Sequence, residues 1–379
     1  MASLHYVCSL LSILVCLITI AATGPITASP PPVKAAYWPS WAESFPPSAI
    51  NTNLFTHIYY AFLMPNNVTY KFNIDNSTAI QLSNFTTTLH HKNPPVKTLF
   101  SIGGAGADTS IFVDMASHPR SRQAFIHSSI QVARKFGFDG LDLDWEFPQN
   151  PKEMHDLGLL LDEWRLALER EAKATCQPPL LFTAAVYFSV DFFVADVYRK
   201  YPVGSINRNL DWINAMCFDY HGGWDNTTTG AHAALYDPKS NLSTSYGLKS
   251  WLRAGVPRSK LVMGLPLYGR SWKLKDPNSH EIGSPAVDVG PGDKGLMQFV
   301  QVGEFNRMNG ATVVYDVGSV STYSFAGATW IGYDDEISAT IKVGFAQALG
   351  LRGYFFWALS YDDEWKISTQ VARAWILND

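Results

Sequence analysis

Three carboxylates at alternate positions define the chemistry open to this chain: Asp142, Asp144 and Glu146, within Asp139-Gly140-Leu141-Asp142-Leu143-Asp144-Trp145-Glu146-Phe147-Pro148. Leu141, Leu143 and Trp145 fill the positions between them. A helix would scatter this spacing around its axis. A strand, with its period of two, puts the acids on one face and the apolar residues on the other. Residues two apart on a strand lie roughly 6.5–7 Å apart. In a partly dry site three acids at that spacing cannot all ionise freely, so at least one pKa rises and a proton is shared. Three arrangements answer to the pattern. One is a solvated edge strand, which the run of Leu, Leu, Trp and Phe opposes. Another is a calcium site, although that chemistry favours flexible loops with carbonyl ligands over a stiff apolar strand. The third is a general acid with supporting carboxylates, the equipment that cleaves a glycosidic bond.

Such a cluster needs a scaffold, and the chain supplies a regular one. Apolar stretches of strand character recur at 33–38, 57–63, 96–103, 140–147, 180–188, 212–220, 261–268 and 353–359. Amphipathic stretches of helical spacing, such as 120–136, 154–174 and 337–349, lie between them. Strand alternating with helix implies a parallel sheet. Eight such units in about 350 residues predict an α/β fold, a closed (β/α)8 TIM barrel, with an open doubly wound sheet as the alternative. One segment breaks the rhythm. Strand-like pieces at 311–315, 319–325 and 329–333, with a helical stretch at 296–309, predict a small α+β insertion after strand seven, too long for an ordinary loop. The expected division is a leader at 1–28, the barrel at 29–270 and 336–379, and the insertion at 271–335.

A barrel of this kind carries its site at the C-terminal ends of the strands, so the acids at the end of strand four are placed for function. Strand three ends in Ser101-Ile102-Gly103-Gly104 and strand six in Met216-Cys217-Phe218-Asp219-Tyr220-His221-Gly222. Strand seven runs Gly264-Leu265-Pro266-Leu267-Tyr268-Gly269-Arg270, the insertion closes on Trp330-Ile331-Gly332-Tyr333-Asp334-Asp335, and strand eight reads Gly353-Tyr354-Phe355-Phe356-Trp357.

The acid string resembles the D-G-x-D-x-D-x-E signature of glycoside hydrolase family 18, the retaining chitinases, and the other strand ends resemble that family's motifs in order. The motifs from strand seven onward are most similar to the plant class V chitinases. The resemblance implies Glu146 as general acid to the glycosidic oxygen. It implies Asp144 as the group that holds the substrate acetamide, Asp142 as its support, and Asp219 as a further contact to the substrate. The acetamide oxygen of the substrate itself then serves as nucleophile, with retention of configuration. Tyr37, Met216, Phe218, Tyr220, Tyr268, Arg270 and Trp357 are the implied walls for chitin or N-acetylchitooligosaccharides. No metal or organic cofactor is implied. Phe218 departs from the pattern, which has Tyr there; Tyr220, of the same strand parity, is expected to supply a hydroxyl from the rim. The alternatives are a chitinase-related lectin and a hydrolase of lipochitooligosaccharide signals.

Composition points the same way. The chain has 379 residues, 47% hydrophobic and 13% aromatic, enough for a large core. Its net charge of −4 and charged fraction of 16%, without a basic run, exclude nucleic acid and anionic membranes as expected partners. The 12 Trp and 17 Tyr suit a neutral carbohydrate, whose apolar faces stack on rings. An uncharged apolar run over 6–22, then small residues and Ser29-Pro30-Pro31-Pro32, reads as a secretory signal cleaved near 22–24 or after Ala28. Sequons at Asn67, Asn76, Asn84, Asn226 and Asn241 fit a secreted glycoprotein, extracellular or vacuolar. Cys8 and Cys16 leave with the signal; Cys176 and Cys217 are expected unpaired, Cys217 buried in a strand. The mature protein is expected to be a monomer.

Overall fold

The computed structural model describes residues 30–194 and 196–376; the expected leader lies outside them. Strands β1 (Val33–Pro39), β2 (His57–Leu63), β3 (Lys97–Gly103), β4 (Gly140–Asp144) and β5 (Leu181–Tyr187) come in chain order. A hairpin of β6 (Asp191–Val194) and β7 (Val197–Lys200) precedes β8 (Trp212–Met216) and β9 (Leu261–Pro266). The second sheet holds β10 (Tyr268–Leu274), β11 (Ala286–Val289), β12 (Leu296–Gln298), β13 (Thr312–Asp316), β14 (Ser321–Ala326) and β15 (Thr329–Tyr333), and the chain returns to the barrel as β16 (Gly353–Trp357). The barrel closes in the order β1-β16-β9-β8-β5-β4-β3-β2, with every ladder parallel. The closed barrel, not the open sheet, is the architecture.

Period two divides each strand between two cores. On β1, Val33, Ala35 and Tyr37 point into the barrel with Tyr59, Trp212, Val262 and Phe355, while Ala36 and Trp38 face the helices. On β4, Leu141 and Leu143 join the outer layer and the acids are left to the interior. The register then aligns Ser101, Asp142 and Thr183 across β3, β4 and β5. Three polar side chains therefore meet at one level of an otherwise apolar interior.

β4 ends at Asp144, earlier than its apolar pattern suggested, so Glu146 stands just beyond the barrel wall. The helix Pro151–Thr175 anchors the segment that carries it. The Asn150 side chain caps this helix by accepting from Glu153 N at 3.0 Å, and the Glu153 carboxylate accepts from Gln149 N at 2.6 Å.

The insertion sheet runs β11-β10-β15-β14-β13, with β12 against β10, around a core of Trp272, Tyr323 and Trp330. It begins at Tyr268, ahead of the expected boundary, because Tyr268 and Arg270 already pair with β12 and β15. Its exit is held by a buried ion pair: Lys342 donates to both carboxylate oxygens of Asp334 and to the Ala233 carbonyl. Ser338 adds a hydroxyl at 2.8 Å. Lys342→Met strands the Asp334 charge in the core and should cost about 3–5 kcal/mol. The double variant with Asp334→Leu should recover much of that loss, because no uncompensated charge remains. Urea midpoints of the two variants test this; equal destabilisation in both would remove the ion pair from the account.

Candidate active site

Asp142 lies at the bottom of the site, fully buried. Its Oδ2 accepts from Tyr37 Oη at 2.8 Å and Ser101 Oγ at 2.7 Å, and its Oδ1 from Thr183 Oγ1 at 2.6 Å. Asn214 Nδ2 donates to the Tyr37 hydroxyl at 3.1 Å, so that hydroxyl is oriented toward the acid. Burial pushes the Asp142 carboxyl up, and the three hydroxyls oppose the shift. Asp144, one level higher, is raised well above the carboxylate range, by burial first, then by the charges of Glu146 and Asp142. Glu146 is pushed up to about 7, by burial and then by the charge of Asp219.

The expected shared proton belongs to the neighbouring Asp144 and Glu146, each of which acts on the other's protonation. Asp142 instead takes hydrogen bonds from three hydroxyls. The two acids repel when both are ionised, and Asp219 supplies a further negative charge that raises Glu146. One Asp144 oxygen, Oδ1, is buried without a partner. It is an unused acceptor inside the site.

Asp219 has φ of 60°, a left-handed conformation that turns the chain out of the β8 line. Arg270 Nε and Nη2 each lie 2.8 Å from its Oδ1. Burial would raise the Asp219 carboxyl, but His232 and Arg270 outweigh it and hold the group below its usual range.

These acids open into a cleft of about 240 Å³. Tyr37, Phe62, Met216, Phe218, Phe355 and Trp357 line it, together with Tyr268, Arg270, Leu296 and Tyr361. Trp357 stacks on Phe62 with centroids 5.5 Å apart and planes 16° apart. Trp41, 55% exposed, extends this floor, 6.2 Å from Phe62. A sheet of rings beside buried carboxyls suits a ligand with apolar faces and polar edges.

Tyr220 is the exception among the expected residues. β8 stops at Met216 and the chain turns at Asp219, so strand parity no longer applies two residues later. Tyr220 is buried in the outer core with its hydroxyl 3.0 Å from Thr244 Oγ1, and it does not line the cleft. Phe218 does line it, packed edge-on against Tyr268 and Phe355, each at 6.1 Å.

Residues 33–362 match the family model described as Glycosyl hydrolases family 18. The chain belongs to that family. It is 55% identical over 346 residues to the class V chitinase CHIT5b of Medicago truncatula, covering 91% of each chain. It is 54% identical over 348 residues to Nod factor hydrolase protein 1 of the same plant, covering 90% of each. Among solved structures, a mutant class V chitinase of Nicotiana tobaccum in complex with NAG4 superposes with a TM-score of 0.86 at 39% identity, over 91% of this chain and 99% of that one. The protein is thus a glycoside hydrolase of the chitinase type, similar to the plant class V enzymes.

Several residues of the site escape a reading by sequence. Thr183 and Asn214 had a signal: each is a polar residue at an inward position of an apolar strand. Phe62 had none, because the β2–β3 ladder shifts register between Tyr60 and Leu63 and departs from period two there. Leu296 at the start of β12 and Tyr361 after β16 come from outside the barrel strands, and only folding brings them to the cleft.

Proposed function

We propose that this chain is a retaining chitinase that hydrolyses β-1,4 bonds between N-acetylglucosamine residues by a substrate-assisted route. The observation that carries the reading is the Asp144–Glu146 pair, with Asp144 buried and Glu146 pushed up to about 7, beside an aromatic floor. A carboxyl at that value holds its proton near neutral pH and still releases it to a leaving oxygen. Glu146 gives its proton to the glycosidic oxygen as the bond to the anomeric carbon breaks. The acetamide oxygen of the same sugar closes on that carbon and forms an oxazolinium. Asp144, with Oδ1 unused, accepts the acetamide N–H and balances the positive charge. Water, deprotonated by Glu146, then opens the ring from the same side as the departed sugar. Asp142 with its three hydroxyl donors keeps Asp144 in place, and the Asp219–Arg270 pair contacts the substrate from the rim.

Incubation with chitohexaose, resolving product lengths and anomers, tests the whole reading. The first product should be the β-anomer, since two inversions at one carbon retain configuration. Sparsely acetylated chitosan should be cut poorly. Early α-product would exclude the substrate-assisted route, and binding without turnover would favour the lectin. A specialised signal as substrate, such as a lipochitooligosaccharide, is the second reading, favoured by the relative named Nod factor hydrolase protein 1.

Phe218 stands where a Tyr hydroxyl would orient the acetamide. With the Tyr220 hydroxyl committed to Thr244, no hydroxyl from that residue competes for the place. Phe218→Tyr should therefore raise kcat on chitooligosaccharides, by at most the about 1–3 kcal/mol of one well-placed donor, and change KM less. A fall in kcat would mean that the cleft is shaped around a different ligand.

We also propose that the protein is secreted and acts as a monomer. All five sequon asparagines are exposed, which supports the former.

A further inference from the structure

The long loop between β8 and the helix Thr244–Arg253 carries one residue that the catalytic scheme leaves unused. His232 is 1% exposed. Its Nε2 lies 3.1 Å from the Tyr268 carbonyl oxygen. A carbonyl only accepts, so Nε2 carries a proton. Nδ1 is buried without a hydrogen-bond partner and lies 3.7 Å from Asp219 Oδ1. The ring is not free to turn away. Its own carbonyl accepts from Tyr220 N at 2.9 Å, the next carbonyl, of Ala233, accepts from Lys342, and the ring leans on that of Tyr268 with centroids 5.1 Å apart.

With Nε2 protonated, two states remain. A neutral ring turns the Nδ1 lone pair toward a carboxylate oxygen, which is repulsive and leaves a buried nitrogen unsatisfied. An imidazolium turns an N–H toward the same oxygen and closes an ion pair. We propose that His232 is a proton-dependent positioning residue: as an imidazolium it joins Arg270 in clamping Asp219, and so holds that carboxylate anionic and aimed into the cleft. This assignment rests on the chitinase reading for its effect on catalysis, but not for the state of the ring.

Of the charged and titratable groups around the ring, Asp219 favours the imidazolium, and the cations Arg270 and Lys342 oppose it. Asp219 faces Nδ1, and Arg270 shares its Oδ1 at 2.8 Å. Tyr268 lies beside the ring, and Lys342 is tied to the adjoining carbonyl. His221 on the same loop is pushed down, mainly by burial, with the charge of His232 among the causes. Asp219 in turn raises Glu146, second only to burial itself. The proton on His232 thus reaches the general acid at one remove.

Two measurements test the proposal. In His232→Gln the amide can still donate toward the Tyr268 carbonyl, but nothing titrates beside Asp219. With one cation fewer, Asp219 takes up a proton more readily. The acid limb of kcat/KM on chitohexaose should move upward by about half a pH unit or more, the scale of one neighbouring charge, with kcat affected more than KM. A loss of the same factor at every pH would mark His232 as structural only and overturn the proposal, as would an unchanged profile. The second measurement needs no activity: imidazole ¹⁵N shifts of the free protein, with the His232 signals identified by their absence in His232→Gln, or in His232→Asn should the first variant not fold. Both ring nitrogens should carry a proton in wild type, and Asp219→Asn should remove the one on Nδ1. A wild-type ring without a proton on Nδ1, or a ring state indifferent to Asp219→Asn, overturns the assignment. If wild type leaves chitohexaose intact while the ring behaves as expected, the functional reading fails and the clamp stands.

Discussion

Glu146→Gln should lower kcat on chitohexaose by about 10³-fold or more, within the range for a general acid, while leaving oligomer affinity within a few-fold. The amide keeps the shape of the carboxyl and has no proton to transfer. The pH profile carries a second part of the result. Glu146 must be protonated to act, and its carboxyl sits at about 7. Activity that depends on it is present below that value and is lost as pH rises through it. Wild type should therefore show a descending alkaline limb near neutrality, and the residual activity of the variant should lack that limb. Calorimetric titration with a chitooligosaccharide checks the affinity. Residual activity within tenfold of wild type would remove Glu146 from the acid role.

Asp144→Asn should lower kcat by about 10²–10³-fold, with a smaller change in KM, because the negative charge that balances the oxazolinium is gone. The same substitution should raise the thermal midpoint at pH 7. Asp144 is raised well above the carboxylate range, by burial and by two neighbouring acids. The folded state then binds more protons than the unfolded state across the interval above about 4, so stability falls as pH rises through it. Removing the carboxylate relieves this, and the gain should shrink as pH falls below about 4, where the acid is protonated in both states. Scanning calorimetry at pH 7 and pH 4 reads both parts. A variant less stable than wild type at pH 7, with kcat little changed, would show that Asp144 holds the fold rather than the substrate.

Activity and stability are thus set against each other at one level of the barrel. Asp142 and Asp144 occupy interior positions where an apolar side chain would pack with less penalty. The hydroxyls of Tyr37, Ser101 and Thr183 offset part of that penalty at Asp142, but Asp144 keeps an unsatisfied oxygen. Such an oxygen is useful only when a donor arrives with the ligand.

Whatever depended on period was legible in the sequence alone. The alternation of Leu and Asp at 141–144 placed the acids on one face, and the resemblance of the other strand ends to the family's motifs pointed to Tyr37, Met216 and Trp357, which line the cleft. The eight strand-and-helix units determined the barrel, and Leu296–Asn309 together with the pieces after it marked the insertion. These features arise from local backbone geometry and burial, which each segment encodes for itself. Where a strand ends, its period ends too, and there the tertiary structure decided. Asp219, at φ of 60°, sent Tyr220 into the core instead of the site. The register shift in β2 brought Phe62 to the floor beneath Trp357. The pKa of Glu146 was decided by burial and by Asp219 from beyond the end of β8. His232 reached Asp219 from a loop without periodicity, because the buried Lys342 holds that loop against the insertion's exit. Charge acts through space and local pattern through sequence, so the identity of the acids could be read from the chain, and the state of their protons only from the fold.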